Sequence, residues 1–170
     1  MIITKKPKAA IIMGSDSDFP ILQSGVKLLK EFGVEVEAII CSAHRTPDNA
    51  AEFARNAEEN GFDVIIAAAG KAAHLPGVLA AYTPLPVIGL PIKSSTLDGL
   101  DSLLSIVQMP TGVPVATVAI NGAENAALLA VQIMSVGYKD LRDKMKDYKK
   151  MMAKKVQEKN LVLQEKIKDI

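Results

Sequence analysis

Short apolar runs recur along the chain at Ala9–Met13, Val36–Ile40, Val64–Ala68, Pro86–Gly89 and Pro114–Ala119. Each is too brief for a helix and several are rich in Val and Ile, so each is read as a strand. The runs are apolar almost throughout and do not alternate with polar residues, the pattern of a parallel sheet buried on both faces. Between them lie helix-length segments with apolar residues three and four apart: Ile21–Phe32, Pro47–Asn60, a shorter one near Pro76–Tyr82, Leu97–Gln108 and Glu124–Val136. Strand and helix alternate five times. Right-handed crossovers wind such a chain into a doubly wound α/β sheet with helices on both faces, and flavodoxin-like and Rossmann-like strand orders both satisfy the pattern. Gly33 and Gly61 follow periodic runs, where a left-handed turn favours glycine. Thr46–Pro47 reads as a helix start, with the threonine hydroxyl expected to accept from the free N–H groups of the first turn.

After Gly137 the chain becomes lysine-rich, with Leu141, Met145, Tyr148 and Met152 at helical spacing. This predicts one α/β domain over residues 1–136 and a long amphipathic helical extension over 137–170. Interspersed acids disfavour a membrane-surface helix, and such a stripe is rarely left in water, so it is expected to pack on a neighbouring subunit. The 170 residues suffice for one core, and 49% hydrophobic with 23% charged residues is a globular composition. Lys and Arg number 20 against 19 acids, so no overall field draws the chain to nucleic acid or an anionic membrane, and a small molecule is the expected partner. Cys41 is the only cysteine, MIITKKPK carries no signal-like apolar region, and no run approaches the roughly 20 residues of a membrane span. These features predict a cytoplasmic location and no membrane partner.

Ligands of such sheets bind beyond the carboxyl ends of the strands, so the loops there are where chemistry is sought. The first such loop, Gly14-Ser15-Asp16-Ser17-Asp18, offers hydroxyls, a helix start and close backbone approach to a phosphate, with Asp18 suited to a ribose diol. Simple capping by Ser15–Asp18 fits the same residues. The second, Cys41-Ser42-Ala43-His44-Arg45, puts a planar cation for phosphate beside an imidazole able to exchange protons near neutrality. A capping or surface role is the plain alternative for His44. Cys41 ends an apolar strand and is read as a buried structural thiol. The third, Gly70-Lys71-Ala72-Ala73-His74, brings the only other histidine to the same rim on small residues that let the backbone pass close to a flat ring. No acidic or Cys cluster with ligand spacing surrounds the two histidines, which argues against a metal. The hydroxyl-rich segments Pro91–Thr96 and Ser105–Gly112 suit either closure over a ligand or a subunit contact.

Taken together, MGSDSD, SAHRTPD, GKAAHLPG, DSLLSIVQMPTGVPVATVAI and NAALLAVQI resemble, in order and spacing, the motifs of the N5-carboxyaminoimidazole ribonucleotide mutase family over about residues 9 to 136. The resemblance implies a three-layer α/β/α fold, a homo-octamer with active sites near subunit contacts, and catalysis in purine biosynthesis without metal or organic cofactor. It implies His44 and His74 as catalytic residues and Ser15, Asp18 and Arg45 as substrate-binding, with Ser17, Ser42, Ala43 and Gly70 lining the pocket. One position departs from the motif: Lys71 stands where a second glycine is usual, and its side chain is expected to point into solvent or to reach a substrate carboxylate. The rival readings are a carboxylase acting on aminoimidazole ribonucleotide and CO2, a flavin- or nucleotide-binding module, and a purely structural oligomerisation protein. At 4% aromatic residues without tryptophan the chain offers few rings to stack a flavin, and the intact AAHLPG loop points to the mutase.

Overall fold

The computed structural model describes residues 5–168, so residues 1–4 of the opening segment and 169–170 of the extension lie outside the described residues. Strands β1 (Lys8–Met13), β2 (Glu35–Ile40), β3 (Val64–Gly70), β4 (Val87–Ile92) and β5 (Ala116–Thr117) alternate with helices α1 (Phe19–Phe32), α2 (Pro47–Asn56), α3 (Leu75–Tyr82), α4 (Leu100–Val107) and α5 (Ala123–Met134). A last helix, α6, runs from Lys139 to Lys168. The five strands are parallel in the order β2-β1-β3-β4-β5, which settles the topology as flavodoxin-like.

Both faces of the central strands are buried, as their unbroken apolar runs predict. Ile11, Met13, Ile66, Ile88 and Leu90 turn to one face under α1, α5 and α6, while Ala10, Ile12, Ile65 and Ala67 turn to the other under α2, α3 and α4. Gly25 lets α1 lie against α5, since a Cβ there would stand 2.7 Å from the Ala123 carbonyl oxygen. Along β3 the side chains shrink from Val64-Ile65-Ile66 to Ala67-Ala68-Ala69-Gly70. The taper leaves room above the sheet at its carboxyl end.

Four expectations need correction. The second strand is not buried on both faces: β2 is an edge strand with glutamates in it, and Ile40 is 60% exposed. The fifth strand shrinks to two residues at the opposite edge. The second helix stops at Asn56 and closes through turns to Gly61, whose φ of 82° is the left-handed value expected of it. The fourth starts only at Leu100, because Leu97, Asp98 and Gly99 take φ values of 51°, 52° and 95°.

The apolar stripe of the extension begins on the core of its own chain. Leu141 and Met145 are buried in the core beneath α6, Tyr148 meets Phe32 at a ring distance of 5.7 Å, and the Lys144 ammonium donates to the Phe32 carbonyl at 2.6 Å. At the helix start, Asp63 accepts from the Tyr138 hydroxyl at 3.2 Å and from the Lys8 backbone N–H at 2.9 Å, which ties α6 to the amino ends of β1 and β3. Beyond Tyr148 every described residue of α6 is exposed. The stripe nevertheless continues through Met152, Val156, Leu163 and Ile167 on the same side of the helix, repeating every eleven residues. Among the described residues no helix is long and apolar enough to cross a membrane.

Candidate active site

The loops that follow β1, β2 and β3 converge on a cavity of about 550 Å³, well within the range of small-molecule sites. It lies where the strand order reverses between β1 and β3, the crevice a doubly wound sheet offers to a ligand. Every residue expected to act in catalysis or to bind substrate lines it: Ser15, Ser17 and Asp18 from the first loop, Ser42, Ala43, His44 and Arg45 from the second, Gly70 and His74 from the third.

In the first loop, the Ser15 hydroxyl oxygen accepts from the Ser17 backbone N–H at 3.3 Å and caps a short 3-10 turn over Asp16–Asp18. The Ser17 hydroxyl donates to Ser15 Oγ at 2.9 Å. Capping and ligand binding are therefore not exclusive here, because both hydroxyls still line the cavity. Asp18 precedes α1 without capping it. Its half-buried carboxyl is held above the ordinary carboxylate range, chiefly by desolvation, with hydrogen bonds from Ser15 and Ser17 pulling the other way.

The second loop is pinned at both ends. Thr46 marks the helix start as expected, but its hydroxyl does not cap α2. It turns back, donating to the Ser42 carbonyl and accepting from the Ser42 N–H, each at 3.0 Å. Ser42 Oγ in turn accepts from the Arg45 N–H at 3.2 Å. This closed turn presents His44 and Arg45 outward on a short loop braced by the bonds among Ser42, Arg45 and Thr46. The Arg45 guanidinium donates to the Gly14 carbonyl at 2.9 Å, which joins the second loop to the first. Cys41 is buried beneath them, as a structural thiol should be.

The two histidines meet. His44 Nε2 lies 2.6 Å from His74 Nδ1, with the rings nearly perpendicular at 80°. One hydrogen can occupy that contact, so one ring accepts there and the pair cannot have both rings fully protonated while it lasts. Such a pair holds one imidazole in a fixed tautomer and orientation at the cavity mouth, the requirement for a proton donor and acceptor. Among the described residues no group of three or more His, Cys, Asp or Glu side chains is gathered to hold a metal.

The sequence of the fourth loop suits closure over a ligand or a subunit contact equally well. Lys93 and Ser94 line the same cavity, with the Lys93 ammonium 3.0 Å from Asp98. The pairing of β3 with β4, Gly70 opposite Ile92, is what brings them in. Ser105, Met109 and Pro110 instead line an adjoining apolar groove that shares only Ala43 and His74 with the cavity.

The family model described as AIR carboxylase matches residues 8–155. The chain is 58% identical over 162 residues to the N5-carboxyaminoimidazole ribonucleotide mutase of Pyrococcus horikoshii, covering 95% of this chain and 92% of that one. It is 62% identical over 130 residues to the phosphoribosylaminoimidazole carboxylase of Candida albicans, covering 76% of this chain but 23% of that longer protein. Among solved structures, Treponema denticola PurE superposes with a TM-score of 0.80 at 32% identity, covering 90% of this chain and 96% of that one. A family match over most of the chain, near-complete mutual coverage and a shared fold lead to one conclusion: the chain belongs to the AIR carboxylase family, which includes the N5-carboxyaminoimidazole ribonucleotide mutases.

Proposed function

We infer that this chain is a mutase converting N5-carboxyaminoimidazole ribonucleotide to 4-carboxy-5-aminoimidazole ribonucleotide (CAIR) in purine biosynthesis. Its full-length likeness to proteins named for that reaction supports this reading, and the observation that carries it is the His44–His74 contact at a cavity of nucleotide size.

In the proposed mechanism, Ser15, Ser17 and Arg45 hold the phosphate, Asp18 accepts from the ribose hydroxyls, and Ser42, Ala43 and Gly70 bound the site. The carbamate C–N bond breaks, releasing CO2, and His44 donates a proton to the freed exocyclic nitrogen. Ring carbon four of aminoimidazole ribonucleotide (AIR) then attacks the retained CO2, and His44 takes the displaced ring proton. The base ends as it began, and no other reactant is consumed. His74 orients the His44 ring. Holding CO2 beside the ring supplies the effective concentration that free solution lacks.

The enzyme works in the cytoplasm as a homo-octamer, with the half of the extension beyond Tyr148 lying across neighbouring subunits. The exposed apolar residues Leu97, Leu100, Leu104 and Val107 around α4, and the outer half of the α6 stripe, supply surface for such contacts.

The test is a bicarbonate-free assay with purified protein and fresh N5-carboxyaminoimidazole ribonucleotide. Rapid formation of CAIR is expected, with kcat falling about a thousandfold in His44→Asn. Near-normal turnover by that variant would remove His44 from the mechanism. Direct carboxylation of AIR is the second reading, favoured by the 62% identity to a protein named as a carboxylase. Product that forms only from AIR plus bicarbonate would establish it.

A further inference from the structure

The cavity carries a cation that the mechanism above does not use. Lys71 lines it at the carboxyl end of β3, three positions before His74. Its φ of 56° lies in the left-handed region, where glycine is free and a residue with a Cβ is strained. The other two permanent cations of the cavity wall are engaged within the protein, Arg45 with the Gly14 carbonyl and Lys93 with Asp98. Among the described residues no acid pairs with Lys71. A strained backbone thus presents an exposed, unpaired ammonium at the rim of a site for an anion.

The cavity has two flanks. Arg45 and the Ser15–Ser17 loop stand on the β1–β2 side, while β3 places Lys71 on the side of His74 and the β4 loop. The inferred substrate also has two anionic ends, a phosphate on the ribose and a carboxylate on the base. With the phosphate on the first flank, the carboxylate that migrates faces the second. We propose that Lys71 is a substrate-binding residue whose ammonium pairs with that carboxylate. The inference rests on the mutase reading and deepens it. A cation there favours both carboxylated forms, on nitrogen and on carbon, over the uncharged CO2 between them, and so opposes loss of the carboxyl group to solvent.

AIR and CAIR differ by this carboxylate alone, so calorimetric titration of each isolates the interaction. The wild-type preference for CAIR over AIR should fall about fivefold in both Lys71→Gly and Lys71→Met, as for an exposed ion pair. AIR affinity should be unchanged, and Lys71→Arg should keep the preference. Lys71→Gly also relieves the left-handed strain, so its melting temperature should match or exceed the wild type. Equal losses for both ligands would place the ammonium on the phosphate, and no change for either would leave it in solvent; both results overturn the proposal. If the wild-type protein binds neither ligand, the mutase reading itself falls and this inference with it.

Discussion

Asp18 carries a pH dependence whose sign follows from its surroundings. Burial raises its carboxyl above 3.8, so the neutral acid persists to higher pH in the folded chain than in the unfolded one. Its contribution to folding is therefore most favourable below 3.8 and is lost as pH rises through the folded value. Binding runs the other way, because the ionised form accepts from ribose hydroxyls on both oxygens in charge-assisted hydrogen bonds stronger than those of the neutral acid. KM should climb as pH falls toward the raised value, beginning above the pH at which an ordinary aspartate titrates. Asp18→Asn should show a KM raised about tenfold, as for loss of a charge-assisted hydrogen bond, with that acid limb gone. KM profiles of the two proteins on the same substrate test this, since the substrate's own titration is common to both. Thr46 makes a second prediction at this scale. Thr46→Val loses both bonds to Ser42, at about 1–2 kcal/mol in urea unfolding, and loosens the turn that presents His44. Thr46→Ser should retain turnover. The gathering of His44, Arg45 and His74 was legible because strand ends can be read from apolar runs and a parallel sheet brings those ends together. The direction of the Thr46 hydroxyl was not, since either the helix start or the loop behind it could use the oxygen. The left-handed backbone at Lys71 shows only in the glycine usual at that motif position, because lysine itself carries no turn signal.

Among the elements, the contact between α1 and α5 is set by backbone proximity. Gly25→Ala puts a methyl group 2.7 Å from the Ala123 carbonyl oxygen, a backbone atom that cannot swing aside. The two helices must separate, and we expect a loss of about 1–3 kcal/mol in urea unfolding with the site chemistry intact. Central strands were easy to read because burial on both faces removes polar residues from them. The edges were harder. β2 holds Glu35 and Glu37 beside its apolar residues and was read as a covered strand, although only its pairing with β1 reveals it as an edge. Proline and small residues around β5 gave an apolar run of six, of which two pair with β4. The start of α4 was misplaced because helical spacing continues through Leu97, where a left-handed turn interrupts it.

Over the whole molecule, the fold closes without the outer half of α6. Leu141 and Met145 are buried against the chain's own core, while Leu163 and Ile167 are 52% and 51% exposed. Leu141→Ala should cost about 2–5 kcal/mol in stability. A chain ending at Lys150 should lose only the circular dichroism contributed by the deleted helical residues and keep much of its thermal stability, while light scattering reports a smaller assembly than that of the intact protein. The sequence marked the stripe but not its division, because Leu141 and Leu163 look alike until a core is placed beneath one of them.

The eleven-residue recurrence along α6 has a further mechanical meaning. At about 3.7 residues per turn it nearly matches the pitch of a straight helix, so over the roughly 40 Å from Leu141 to Ile167 the stripe hardly winds around the axis. The helix behaves as a rigid spline whose angular phase is locked at its root by Leu141, Met145 and Tyr148. Lengthening it by one residue after Lys150 would rotate everything beyond by about 100°, whereas an eleven-residue insertion would restore the phase and only extend the reach. Angular indexing, more than the identity of each apolar side chain, then determines which way the outer half can dock.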